Sequence, residues 1–476
     1  MTNDGRADLG GGRRWRRALV YGVGASGRAA ARLLLDRGAA VVGVDGRPPA
    51  DLDLGPLAVE PRFELIDETA PLPRALDGVV LSPGVPPDRP LLAAARAAGL
   101  PVISEVELAF PLLAGPVVGV TGTNGKSTTT ALAGAMLQAA GRAVEVCGNI
   151  GEAVSSRVDG PPGRVFVIEL SSFQLEAMET FRPHAAAWLN LTPDHLDRYP
   201  DLAAYAAVKQ SLLGRQQAGD LAVLNADDPR TAAAVSRGRR RFFSRLARVA
   251  DGCFLDGDGV GGEIVEVDPR GGETVLFRRR DLPLAGAHNV ENAMAAALLA
   301  RAFGAPPDDL RRALAGFRGL PHRMQRVAAA AGVVWYDDSK ATNFAATAKS
   351  LADLPDGTVH LILGGRGKGD DPSAVVALAA RKAKRLYLVG EAADGFARVF
   401  AGAAAIERSG TVESAVAAAA AGAAPGDAVL LSPACASFDQ FTSYAHRGDV
   451  FQALVRRAVG DGDGDGDRAG ADEGGG

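Results

Sequence analysis

Thr121-Gly122-Thr123-Asn124-Gly125-Lys126-Ser127-Thr128-Thr129-Thr130 directly follows the apolar run Val117-Val118-Gly119-Val120. Between a strand and a helix, a loop of this kind wraps a polyphosphate with its backbone N–H groups. Lys126 would add a point charge and Ser127 an oxygen ligand for Mg²⁺. The strict pattern has a glycine five residues before Gly125, where this chain carries Val120 flanked by Gly119 and Gly122. The loop is therefore a variant, and ATP is the expected ligand. Such a site needs a metal-binding carboxylate. Glu169 closes the run Val165-Phe166-Val167-Ile168 and would face the crevice at a strand's carboxyl end. His195 stands between Asp194 and Asp197, a setting that suits a ligand, a proton carrier or a helix-capping loop. Lys209 lies in the following helix, where periodicity alone makes it a solvated lysine.

Gly286-Ala287-His288-Asn289-Val290-Glu291-Asn292 opens an alanine-rich helix. Asn289 and Asn292, three apart on one face, carry amides suited to an adenine edge, and an N-cap role for Asn289 fits equally. Arg323, in Leu320-Pro321-His322-Arg323, is expected to reach ATP when domains close. Three further segments each follow an apolar run: Asp337–Asn343, Gly364–Gly369 and Ser432–Phe441. If they converge on one sheet edge, their lysines, arginine and hydroxyls suit an anionic small molecule. Nearer the amino terminus, Gly22-Val23-Gly24-Ala25-Ser26-Gly27 follows an apolar run, and Asp45 ends the next one. That context matches a dinucleotide fingerprint, with a diphosphate at a helix's positive end. NAD, another diphosphate, or a plain turn needing positive φ all remain open on this motif alone.

To hold these groups in place, short apolar runs alternate with Ala/Leu-rich helical stretches. Strands are expected at Ala18–Tyr21, Ala40–Val44, Gly78–Leu81, Val117–Val120, Val165–Glu169, Ala185–Leu191, Leu221–Leu224, Val333–Tyr336, Val359–Leu363, Arg385–Val389 and Ala428–Leu431. Near-continuous apolar strands alternating with helices indicate an α/β protein with parallel sheets. Between Phe242 and Leu282, short Gly-rich, Val-containing pieces predict an antiparallel addition. With 476 residues, about three domains are expected at ~150 residues each. Proline-bearing seams divide them into a Rossmann-like domain at 16–110, a central P-loop ATPase-like domain at 111–319 and a Rossmann-like domain at 320–459. The polar arm 1–15 and the Gly/Asp-rich tail 460–476 are too poor in apolar residues to pack, so both are expected to be disordered.

Fifty-two basic and 56 acidic residues give a net charge of −4, which argues against a polybasic nucleic-acid or membrane-surface protein. Cys147, Cys253 and Cys435 lie far apart with no CxxC spacing, so neither a disulfide framework nor a structural zinc site is expected. Arg13-Arg14-Trp15-Arg16-Arg17 mimics a twin-arginine signal, but glycines and Arg28 break the apolar stretch behind it. No run approaches the ~20 apolar residues of a membrane span. A cytoplasmic protein is expected.

Taken jointly, GTNGKSTTT, CGNIG, ELSSFQL, DHLDRY, HNVENA, DDSKATN and SPACASFDQF make the chain resemble the Mur ligase family of peptidoglycan synthesis, from about Val20 to Phe451. SSFQL with SPACASFDQF is most similar to the members that add D-glutamate, and the DNPR signature of the diaminopimelate-adding type is absent from the third domain. The resemblance implies a monomeric enzyme that binds ATP, two Mg²⁺ ions, UDP-N-acetylmuramoyl-L-alanine and D-glutamate, and no NAD. It implies that the alanyl carboxylate attacks the γ-phosphorus to give an acyl phosphate, which the D-glutamate amine then displaces through a tetrahedral intermediate. Closure of the third domain is expected to keep water from the acyl phosphate.

Matching motifs, the resemblance implies that Gly24, Ala25, Ser26, Asp45, Gly46, Arg47, Ser82, Pro83, Gly84, Asn149 and His195 bind the UDP substrate. ATP falls to Gly122, Thr123, Asn124, Gly125, Lys126, Ser127, Thr128, Asn289, Asn292, Arg323 and Asp338. Metal ligation falls to Ser127, Glu169, His195 and Lys209, the last as a carbamate, and catalysis to Lys126, His195, Lys209 and Lys340. Thr342, Lys368, Ser437 and the backbone at Tyr444 are implied for D-glutamate. The chain departs from the family at Gly46, where threonine is usual, at Tyr444 and Phe438, where phenylalanine and leucine are usual, and at Arg366, where an acid is common.

Overall fold

The computed structural model describes residues 7–195, 198–284, 286–352, 354–367 and 371–460. It divides into two compact units, Met1–Phe317 and Arg318–Gly476. The first unit carries two large sheets. One is fully parallel, in the order Phe63–Ile66, Ala40–Val44, Arg17–Tyr21, Gly78–Leu81, Val102–Ser104. Its central strands are buried on both faces, which is why they read as unbroken apolar runs. The strand order reverses between Arg17–Tyr21 and Gly78–Leu81, so a ligand crevice opens at their carboxyl ends. Gly22–Ser26 and Ser82–Gly84 are the residues that leave those two ends.

The second sheet has nine strands among the described residues. Its order is Glu273–Arg278, Glu263–Val267, Gly252–Asp256, Arg239–Ser244, Leu221–Asn225, Ala185–Trp188, Val117–Thr121, Val165–Glu169, Val144–Gly148. The expected antiparallel addition is smaller than the sequence implied. Arg239–Ser244 and Gly252–Asp256 pair in parallel, and only Glu263–Val267 is reversed, pairing antiparallel with both Gly252–Asp256 and Glu273–Arg278. A short connection suffices because the strands are staggered, with Phe242 opposite Gly252. A Cβ at Gly252 would lie 1.7 Å from the Phe242 carbonyl oxygen, so only glycine fits there. Helices Lys126–Ala139 and Ala287–Ala302 pack together over one face, and Ala293–Ala300 are all fully buried. Runs of alanine let the two helix backbones approach closely.

The amino-terminal residues also depart from expectation. Ala7–Asp8 pairs antiparallel with Arg14–Trp15, and Leu9 and Trp15 are buried in the first unit's core. Two apolar anchors and one arginine offset the ordering cost that composition alone suggested would win. Arg13 Nη2 donates to Glu107 Oε1 at 2.7 Å, and the same buried carboxylate accepts Thr180 N, Thr180 Oγ1 and Phe181 N. The hairpin therefore ties the end of the first sheet's last helix to the second sheet's loops. Residues 1–6 of the expected arm, and 461–476 of the tail, lie outside the described residues.

The second unit holds a six-stranded sheet in the order Gln325–Ala330, Val333–Asp337, Ala428–Leu431, Val359–Gly364, Ala383–Val389, Ala405–Gly410. All pairings are parallel except that of Gln325–Ala330. Among the described residues, no helix is long and apolar enough to cross a membrane.

Candidate active site

The Thr121–Ser127 loop is shaped by two glycines. Gly125 caps helix Lys126–Ala139 at φ +81°, and a Cβ there would lie 2.1 Å from Asn292 Oδ1. Gly122 sits at φ +159°, nearly extended, where a Cβ would press on Leu189 at 3.1 Å. Side chains from the neighbouring strand's end brace the loop. Asn190 Oδ1 accepts from Asn124 N at 2.9 Å, its Nδ2 donates to Asn124 O at 3.2 Å, and Thr123 Oγ1 donates to Thr192 O at 3.2 Å. Sequence reasoning missed Asn190 and Thr192. Their signal was present, since Ala185–Trp188 pairs in register with Val117–Thr121 and its carboxyl end must meet the loop.

Two lysines converge on one carbonyl of this loop. Lys126 Nζ donates to Gly122 O at 3.1 Å and to Thr123 O at 2.9 Å, and Lys209 Nζ donates to Gly122 O at 2.8 Å. Far from solvated, Lys209 is 1% exposed, and its ammonium lies 4.6 Å from the Tyr205 ring centroid. Burial first, then the Lys126 charge, push its pKa down to about 6, against a weaker opposing pull from Asp194. At neutral pH the side chain is thus mostly a neutral amine, a nucleophile rather than a cation.

Glu169 is 2% exposed; Asn149 Nδ2 donates to its Oε1 at 2.8 Å, while the buried Oε2 has no hydrogen-bond partner among the described residues. An orphaned carboxylate oxygen is costly unless a cation completes it. No group of three or more His, Cys, Asp or Glu side chains among the described residues is arranged to hold a metal. The orphaned oxygen of Glu169 fits Mg²⁺, which takes one or two carboxylates and a hydroxyl such as that of buried Ser127.

His195 is exposed and adopts φ +54°, with its Nε2 3.8 Å from Asp194 Oδ2. Its ring packs 4.7 Å from that of Phe173, over which the Arg198 guanidinium lies at 4.2 Å. Arg198 also pairs with Glu176 at 2.5 Å and donates to Val85 O at 3.3 Å, joining the His195 loop to the loop after Ser82. Phe173 stood inside ELSSFQL and Arg198 inside DHLDRY, with Glu176 just after the first, yet sequence assigned them no role. Asp197 lies outside the described residues.

In the amino-terminal turn, Gly22 has φ +87° and Gly24 caps helix Ala25–Asp36. A Cβ at Gly27 would stand 1.8 Å from Gly22 O, and Ser82 Oγ donates to that same carbonyl at 2.6 Å. Asp45 accepts from Val23 N at 2.8 Å and from Arg47 Nε at 2.9 Å. Burial raises its pKa, but the Arg47 fork and the two backbone donors outweigh this and hold the carboxyl below the usual range. Ala25, Gly46, Arg47 and Gly84 are exposed, with Ser26 and Pro83 half-buried, around the crevice. Asn149, expected with this group, donates to the Glu169 carboxylate at 2.8 Å.

Asn292 is 4% exposed and its amide is already engaged, accepting from Thr129 Oγ1 at 3.3 Å and donating to Asn289 Oδ1 at 3.1 Å. Asn289 is not the N-cap; that position is Gly286, and Asn289 is the third residue of the helix.

In the second unit, the three expected loops do meet. The strands preceding them are parallel neighbours. Arg366 N donates to Ala436 O at 2.9 Å, and Ala434 N donates to Ala341 O at 2.9 Å. Asp338 is 3% exposed and accepts from Ser350 Oγ, Ser432 Oγ and Met324 N. Burial, the dominant effect, lifts its pKa to about 6. Its carboxylate thus anchors the segment bearing the exposed Arg323. Lys340 Nζ lies 5.7 Å from the Tyr444 ring centroid, and Ser339 Oγ donates to Tyr444 O at 2.8 Å. Ser437 is 2% exposed and Thr342 is half-buried in the same loops, whereas Lys368 lies outside the described residues.

Residues 120–300 match the Mur ligase middle domain, and residues 322–435 match the Mur ligase glutamate ligase domain. The UDP-N-acetylmuramoylalanine--D-glutamate ligase of Anaeromyxobacter dehalogenans is 46% identical, over 92% of this chain and 97% of its own length. Its namesake in Myxococcus xanthus is 45% identical, over 92% and 98% respectively. Among solved structures, UDP-N-acetylmuramate-alanine ligase from Thermotoga maritima aligns over 93% of this chain and 100% of its own. Its TM-score is 0.59 at 17% identity, a likeness of fold.

Proposed function

We propose, from the premise that the chain belongs to the Mur ligase family, that it joins D-glutamate to UDP-N-acetylmuramoyl-L-alanine, cleaving ATP to ADP and phosphate, in peptidoglycan precursor synthesis. The observation that carries this reading is the near-complete match to relatives of that name, 97–98% of their length at 45–46% identity. The Gly122–Ser127 loop would take the ATP phosphates, and the Gly22–Gly27 turn the uridine diphosphate rather than NAD.

Two anions must approach for the first step, the alanyl carboxylate and the γ-phosphate. At ~4 Å their repulsion amounts to several kcal/mol even at an effective dielectric near 20. Lys126 opposes it directly, by swinging from the Gly122 and Thr123 carbonyls to the phosphates. Lys209, as a neutral buried amine, is in the form that adds CO₂ and releases a proton, which would turn it into a carbamate anion. With Ser127, Glu169 and His195, that carbamate would hold two Mg²⁺ ions, which neutralise phosphoryl charge when bound. Asn149 keeps the Glu169 carboxylate oriented, and the Phe173–Arg198 stack fixes the His195 ring. In the second unit, Thr342, Lys368, Ser437 and the Tyr444 backbone would bind D-glutamate, and Lys340 would act on the reacting groups. Arg323 would contact ATP.

Phosphate release with UDP-N-acetylmuramoyl-L-alanine and ATP tests the reading. We expect release with D-glutamate and none with L-glutamate, D-aspartate or diaminopimelate. Release with diaminopimelate instead, or with none of the four, would overturn it.

A further inference from the structure

Arg447 is 1% exposed, yet its hydrogen bonds all go to neutral groups. Nε donates to Ser339 Oγ at 3.0 Å, and Nη2 donates to the carbonyls of Ser339 at 2.9 Å and Cys435 at 3.1 Å. Nη1 has no partner among the described residues, and a Cβ at Gly365 would lie 3.2 Å from it. Asp439 and Asp337 attract the Arg447 charge from a distance, but neither accepts a hydrogen bond from it. Asp337 accepts from His322 Nδ1, Gln452 Nε2 and Ser339 N, and Asp439 accepts from Glu391 N. Burial pushes even this guanidinium's pKa down to about 10.

Its position makes the imbalance worse. Arg447 is the fourth residue of helix Tyr444–Val459, whose first turn contains no acid. A helix amino terminus already carries partial positive charge, so a cation there is unfavourable. Three features thus coincide at one spot: a desolvated cation, an orphaned N–H group, and a helix end of the same sign. An anion would relieve all three. The arginine also touches, or abuts, each of the three loops that meet in this unit, through Ser339, Gly365 and Cys435.

We propose that Arg447 is the charge-matching residue of the amino-acid pocket, its buried positive charge selecting a substrate with a second carboxylate over a neutral amino acid. The inference rests on the reading of D-glutamate as substrate and adds the residue that reads its side-chain charge. Arg447 acts by holding the loops and supplying the field, as a positioning residue.

Two variants separate field from scaffold. Arg447→Met should raise the KM for D-glutamate on the order of 100-fold, the factor given by unit charges ~6 Å apart at an effective dielectric of 20, while the KM for ATP stays within about threefold. Arg447→Lys keeps the charge but loses the fork, and should remain within about tenfold of wild type for D-glutamate. Equal losses in both variants, or a parallel rise in the KM for ATP, would overturn the proposal. Should Arg447→Met not fold, the wild-type protein still decides the matter. D-glutamate should raise its Tm and D-glutamine should not; equal shifts, or no shift with either, would defeat the inference. Failure of the wild type to release phosphate with D-glutamate would count against the ligase reading, and the thermal comparison would still judge Arg447.

Discussion

Two glycine-rich turns in the first unit look alike in sequence and differ in what makes their glycines necessary. In the turn after Tyr21, the obstacle to a side chain at Gly27 is the turn's own backbone, the Gly22 carbonyl 1.8 Å away. In the turn after Thr121, the obstacle at Gly125 is Asn292, a side chain from a helix far along the chain. The first turn is self-contained, and its neighbours, Ser82 and Asp45, finish its hydrogen bonding. The second is assembled from distant parts and has two lysines drawn onto one carbonyl. Close packing alone therefore demands glycine in the first. In the second, glycine belongs to an arrangement that brings a lysine cation and a buried lysine amine onto one carbonyl, and this is the turn where chemistry is expected.

Substitutions can break that contrast. The largest effect is expected for Lys126→Ala, which should cut D-glutamate-dependent phosphate release by about 10²–10³, the usual cost of losing a group that stabilises developing charge. Its melting temperature should hardly move. Retained turnover would mean that the second turn is no more catalytic than the first.

Lys209→Met comes next. The native pKa of about 6 lies below the unfolded value of 10.5, so between these limits the unfolded chain binds more protons and stability rises with pH. This one group should contribute a slope of about 1.4 kcal/mol per pH unit across that window. Urea midpoints measured in CO₂-free buffer, which keeps Lys209 a free amine, from pH 6.5 to 9 should show the slope in the wild type and its loss in the variant. Identical slopes would place Lys209 in water.

The smallest effect is expected for Gly27→Ala. Overpacking against Gly22 should lower the first unit's unfolding free energy by about 1–3 kcal/mol, read from denaturant melts. No loss of stability would show that the first turn relaxes freely and that its glycine serves a ligand after all.

Central strands such as Ala40–Val44 and Ala428–Leu431 matched their apolar runs. The one expected at Ala185–Leu191 ends at Trp188, because Asn190 leaves the sheet to brace the Asn124 backbone. Five strands that sequence reading left out, Phe63–Ile66, Val102–Ser104, Val144–Gly148, Gln325–Ala330 and Ala405–Gly410, lie at sheet edges, whereas Arg239–Ser244 is interior and was hidden by the three arginines that open it. Edge strands are half-covered, so they mix polar and apolar residues and lose the signal that burial writes into a sequence. Motifs singled out the Thr121–Ser127 loop and Glu169, because the proposed chemistry needs particular residue types at fixed spacings. Lys209 was misjudged from periodicity because its short helix is rich in alanine, although Tyr205, four residues earlier, marks the same buried face. Arg447 gave no sign at all. What distinguishes it is the absence of a counter-charge, and a chain listing shows only which residues exist, never which fail to meet.

The short hairpin at the start of the chain has a practical corollary. Clipping by a protease just ahead of Arg16 would remove Leu9 and Trp15 from the core and strip Glu107 of its arginine. A carboxylate left dry and without its cation costs about 3–5 kcal/mol, a large share of what holds an ordinary domain together. A preparation trimmed for tidiness at that end would thus melt early while every residue of both glycine-rich turns remained intact.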